Sequence, residues 1–149
     1  MLPQRIGSNR SMSHPTRTAV DAKLMERTGL DEFTLRRVRK EFLTRCGKMT
    51  YADKRALAEG GTVPRFRLMI SVLQDSWDKE RWNAWLRYLE HTDQDIDEMG
   101  RGEYPISPYL IRVFSALFGI KVDFLLLGNA PSVDKVGANI DVWPLSGAR

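Results

Sequence analysis

The chain has 149 residues, of which 42% are apolar and 28% charged, with one cysteine and a formal charge of +4. That balance suits one soluble domain with an appended helical unit and excludes a collagen, a disulfide scaffold and a disordered acidic tail. The longest apolar stretch, Phe114 to Leu127, is broken by Lys121 and Asp123 and falls short of the roughly 20 residues needed to cross a bilayer. The N-terminal MLPQRIGSNRSMSHPTR is positively charged without an apolar core behind it, so a secretory signal is not expected. No membrane partner and a cytoplasmic location follow as expectations, and the lone Cys46 agrees with a reducing compartment.

Charge is unevenly spread along the chain. Met1 to Met69 holds 15 Lys and Arg against 7 Asp and Glu, whereas Ile70 to Arg149 holds 8 against 12. A basic half favours nucleic acid, because neutralising phosphates releases counterions. The plain alternative is a solvated face that serves only solubility.

Taken in chain order, residues 1–17 combine Pro, Gly, Ser, Asn and Arg without apolar periodicity and read as a flexible arm. A first helix fits Ala19 to Thr28 and stops at Gly29. Asp31 caps a second, running to about Arg45 with Leu35, Val38 and Phe42 as its buried stripe and Gly47 closing it. Thr50 opens a short third helix that Gly60 and Gly61 end. Pro64 opens a fourth, from Arg65 to about Leu73, whose apolar density predicts burial. Asp78 starts a fifth, with Trp82, Trp85, Leu86 and Leu89 on one face. Trp77 and Tyr88 fall off that stripe, so one of these rings is expected to be exposed. A sixth helix covers about Asp93 to Met99, a seventh begins at Ser107-Pro108 and stops at Gly119, and a final turn spans Val122 to Leu127. Residues 129–149 read as an extended tail, with Val142 and Trp143 as its apolar anchor. The predicted fold class is all-α: a compact helical bundle.

The stretch SWDKERWNAWLRYLEHTDQDIDEMGRGEYPISPYLIRVFSALFGIKVDFLLLG carries a recognisable pattern. Phe118, Gly119 and Ile120, then Phe124, Leu125, Leu126 and Gly128, form a small-helix, Gly-x-x, apolar-x-x-Leu-Leu-x-Gly ending. In this the segment resembles the Cro/C1-type helix-turn-helix proteins, the XRE family of phage and bacterial repressors. The resemblance implies a five-helix core over 63–128, a third core helix at about Asp93 to Met99 that enters the major groove with Ile96 as its buried anchor, and a homodimer on paired half-sites. Near that helix the donors placed for DNA are Arg87, Gln94 and Arg101. Against the family pattern, the turn from Arg87 to Thr92 reads two or three residues too long and lacks a Gly. The helix itself carries Asp93, Asp95, Asp97 and Glu98, which repel phosphate unless they serve as caps.

Residues 18–62 supply a basic helical extension and a second candidate. Gly29, Leu30, Leu35 and Val38 have the spacing of a generic helix-turn-helix, since Gly takes the left-handed turn and the apolar residues lock one helix on the other. At 100° per residue, Arg36, Arg37, Lys40 and Thr44 oppose the buried stripe and Phe33 falls among them. Cations with an aromatic suit phosphates and base edges, with Phe33 placed to touch a thymine methyl. Thr34, Arg39 and Arg45 flank the stripe within reach of the DNA backbone.

Enzyme signals are poor: His14 and His91 have no companions at metal-ligand spacing, and no HExxH, Walker A or GxSxG motif occurs. No cofactor is expected. Two functions stand open on the sequence. One is a non-catalytic transcriptional regulator that binds double-stranded DNA. The other is an adaptor that keeps the fold and meets a protein partner through its acidic third core helix or the tail.

Overall fold

Helix starts in this chain are written in the side chains that precede them. Asp31, Thr50, Asp78, Thr92 and Ser107 each accept a hydrogen bond from the backbone N–H three residues on, which satisfies a donor that the first helical turn leaves free. The computed structural model describes residues 15–131, and among these it contains eight helices and no strand. In order they are α1 (Pro15–Thr28), α2 (Glu32–Lys48), α3 (Tyr51–Glu59), α4 (Thr62–Ser76), α5 (Lys79–Leu89), α6 (Asp93–Gly100), α7 (Pro108–Phe118) and α8 (Asp123–Leu127). The predicted arm lies outside the described residues except for Pro15, Thr16 and Arg17, which are helical and start α1 four residues before the predicted Ala19; the predicted tail beyond Pro131, including Val142 and Trp143, lies outside the described residues as well.

Of the boundaries that differ from the sequence reading, two do so for a visible local reason. α2 passes through Gly47 because the buried Cys46 holds its last turn on the core, and it ends at Met49, whose N–H bonds the Cys46 carbonyl. α4 begins before Pro64, at Thr62, because Gly61 at φ 91 turns the chain and a proline in the first turn forfeits no helical hydrogen bond.

α4 lies at the centre, against α2, α3, α5, α6 and α8, while α7 packs on α1, α2 and α8. One apolar core runs from Leu24 to Leu125, so the basic extension and the segment after it bury their side chains together. Phe42 of α2 sits edge-on to Phe118 at 5.0 Å and to Phe124 at 5.5 Å. Phe66 tilts against Phe114 at 4.8 Å, and Trp85 meets Phe114 at 5.7 Å. The ring expected to be exposed is not: Trp77 is buried in an edge contact with Trp85, and Tyr88 is half-buried and stacked on Trp85. Helical periodicity missed this because Trp77 precedes α5, and its direction is set by how α4 ends.

A buried cation ties the helix ends together. Arg65, 2% exposed, donates from Nε and Nη2 to the Leu125 carbonyl and from Nη1 to the carbonyls of Leu57 and Ala58. Those oxygens lie in the last turns of α3 and α8, where helices leave acceptors without partners. Thr62 Oγ1 adds a bond to the same Leu125 oxygen. Burial pulls the guanidinium down from its ordinary value, yet an arginine stays charged at any physiological pH.

Candidate nucleic-acid interface

The turn that launches α2 is three residues long. Gly29 takes the left-handed conformation at φ 77, Leu30 plugs into the core, and Asp31 caps the helix. Hydrogen bonds from Thr34 hold the Asp31 carboxyl below its ordinary value. From there α2 divides into two faces. Leu35, Val38, Phe42 and Cys46 point inward, and Thr34 goes with them, buried rather than presented to a ligand. Phe33, Arg36, Arg37 and Lys40 point outward and are exposed. Arg37 places its guanidinium 5.8 Å from the Phe33 ring centroid, and Arg36 lies 3.7 Å from Glu32 with both side chains open to water.

The two remaining arginines of α2 are spent on the fold. Arg39 donates to the carbonyls of Ala116 and Leu117 at the end of α7 and forks onto Asp21 of α1 at 2.9 and 3.2 Å. A cation at a helix C-terminus complements its dipole, so this side chain joins three helices. Arg45 bonds Glu41 at 2.9 Å and Asp75 of α4 at 2.8 Å, and both carboxylates raise its already high pKa, Glu41 the more. Flanking the buried stripe thus brought Arg39 and Arg45 to carboxylates and carbonyls of neighbouring helices.

α5 and α6 repeat the arrangement with different chemistry. α5 continues to Leu89, so the connection is the three residues Glu90, His91 and Thr92 and not the longer loop predicted. Glu90 itself takes the left-handed position at φ 61 where the sequence offers no Gly. Thr92 and Asp95 form a reciprocal capping box. The Thr92 N–H, with His91 Nδ1 at 3.2 Å, holds the Asp95 carboxyl below its ordinary value. Trp82 donates its indole N–H to Asp93 at 2.6 Å, clamping α5 to α6. Further along, Gln94 bonds Glu98 at 3.0 Å, and Arg101 pairs with Asp97 and with Glu103. Each carboxylate of α6 therefore has a partner within this chain. Of the donors predicted here, Arg87 is exposed, whereas Gln94 and Arg101 are engaged by acids beside them. Ile96 is buried as expected.

Sequence reasoning passed over Arg65 and Arg67, the second of which donates to the Gly100 carbonyl and seats the end of α6 on α4. Nothing local distinguishes these arginines from solvated ones. Among the described residues no three His, Cys, Asp or Glu side chains are grouped to hold a metal, and no helix is long and apolar enough to cross a membrane. Compared with models of protein families, with curated proteins and with solved structures, the chain has no match.

Proposed function

We propose that this chain is a non-catalytic regulator that binds double-stranded DNA through the outward face of α2. The observation that carries the reading is the segregation of α2: Arg36, Arg37 and Lys40 stand exposed beside Phe33 while Arg39 and Arg45 hold the helix in place. Three exposed cations on one helix face can release counterions from phosphates, and the surface pair of Arg36 with Glu32 is weak enough to yield to them. The likeness of residues 76–128 to Cro/C1 proteins supports a regulator built on α4 to α8, acting as a homodimer in the cytoplasm. In this chain α6 contributes stability in place of base contacts, since its carboxylates are unfavourable beside a phosphate backbone.

Fluorescence anisotropy against mixed-sequence duplex DNA tests the proposal. Between about 50 and 200 mM salt, affinity should fall steeply, and replacing Arg36, Arg37 and Lys40 together by Ala should flatten the slope by about 0.9 per lost phosphate contact. An unchanged slope overturns the assignment to α2. A second reading, an adaptor that receives a basic protein on α6, draws support from the exposure of Asp93 and Asp97. Absence of DNA binding at low salt would favour it.

A further inference from the structure

Attraction to phosphates accounts for Arg36, Arg37 and Lys40 but not for Phe33. This ring is 60% exposed on a helix that buries Leu35, Val38 and Phe42, and the core would be served equally by a polar residue in its place. Its position is telling. Phe33 is the second residue of α2, beside the tight turn at Gly29, at the end of the helix that a recognition helix presents to base edges. One turn on, Arg37 lies 5.8 Å from the ring centroid, a cation–π contact that steadies the ring before any ligand arrives. A side chain already oriented loses less freedom on binding. The major groove admits a helix, and the apolar group it displays there is the 5-methyl of a pyrimidine.

From this juxtaposition we infer that Phe33, steadied by Arg37, is a specificity-determining residue that packs on a pyrimidine 5-methyl group in the major groove, while Arg36 and Lys40 hold the flanking phosphates. The inference rests on the assignment of α2 to duplex DNA. The methyl has two sources, thymine and 5-methylcytosine, which present it at the same ring position.

Three duplexes of one repeat separate the possibilities: d(AG)·d(CT), the same with uracil for thymine, and the uracil form with 5-methylcytosine for cytosine. Every register then offers the same groups. The protein should bind the thymine duplex about three- to fourfold more tightly than the uracil duplex, the value of one buried methyl-sized group. Methylating cytosine should restore the affinity if both sources are read, and leave it low if thymine alone is. F33A should bind all three equally with an unaltered salt slope and thermal midpoint, because the ring is exposed. Equal affinity of the parent protein for thymine and uracil duplexes, or a preference that survives in F33A, overturns the inference while leaving the α2 cations in place. Tighter binding to the single-stranded d(CT) repeat than to any duplex also overturns it, since the ring would then be stacking on unpaired bases. Failure to bind any of these nucleic acids at low salt removes the assignment of α2 itself.

Discussion

At Gly128 the backbone stands at φ 78, and a Cβ added there would meet the Ala58 carbonyl oxygen at 2.2 Å and Arg65 Nη1 at 2.9 Å. Both neighbours are fixed, the first as backbone and the second by its bonds to Leu57, Ala58 and Leu125. Gly128→Ala is therefore expected to cost at least about 2 kcal/mol, from left-handed strain and the displaced guanidinium together. Urea unfolding monitored by circular dichroism would measure it, and a loss below a few tenths of a kcal/mol would contradict the account. Cys46 gives a second test at this scale. Burial pushes its thiol up to about 12 from an ordinary 9.0. The folded state thus keeps a proton that the unfolded chain releases, so this contribution to stability is intact below about pH 9 and declines as the pH rises toward 12. The decline should approach about 1.4 kcal/mol per pH unit, and the difference in slope between the parent and Cys46→Ala isolates it from other titrations.

Among the elements, the α5–α6 connection invites improvement. Glu90 occupies a left-handed position, and among the described residues its side chain makes no i,i+4 pair or cap bond to offset the strain of a Cβ there. Glu90→Gly is expected to raise stability by about 0.5–1 kcal/mol, visible as a higher thermal midpoint. A lower midpoint would mean that the glutamate side chain matters to the fold. The capping box beside it has the opposite sensitivity to pH from Cys46. The Asp95 carboxyl sits below its ordinary 3.8, so its contribution holds above that value and is lost as the pH falls through the folded one. α2 resembles α5–α6 in its three-residue turn but differs in use, with its cap made by Asp31 and its outer face left to cations and Phe33.

For the molecule as a whole, the decisive contact is Phe42 wedged between Phe118 and Phe124, which makes the basic extension and the later helices one body. Phe42→Ala should cost about 3–5 kcal/mol through lost burial and the cavity left behind. That is a large share of the roughly 5–15 kcal/mol that holds a domain folded. Far-UV circular dichroism and tryptophan fluorescence should lose their signals together in one transition, although all four tryptophans lie after residue 70. Two separate transitions would show the extension to be an independent unit. The common core also holds α2 in place, so the proposed DNA-binding face owes its shape to helices far from it in sequence.

Caps and turns were legible without a structure because they are settled within four residues. Asp31, Thr50, Asp78 and Ser107 begin helices as read, Gly119 and Gly128 end them in left-handed conformations, and the stripe of Leu35, Val38 and Phe42 is buried. The outward set of Phe33, Arg36, Arg37 and Lys40 followed from the same periodicity. What periodicity cannot supply is the identity of a neighbour far along the chain. Arg39 meets carbonyls 77 and 78 residues away, and Arg65 reaches Leu125 across 60, yet each is an arginine like those left in water. Composition made the sixth helix an acidic liability, whereas Trp82, Thr92, Gln94 and Arg101 give each of its carboxylates a partner. Local sequence determined where helices form and which way they face, since those choices depend on adjacent backbone groups. Tertiary packing alone decided which charges are bound within the fold and which stay available, because that depends on what the rest of the chain brings within hydrogen-bond distance.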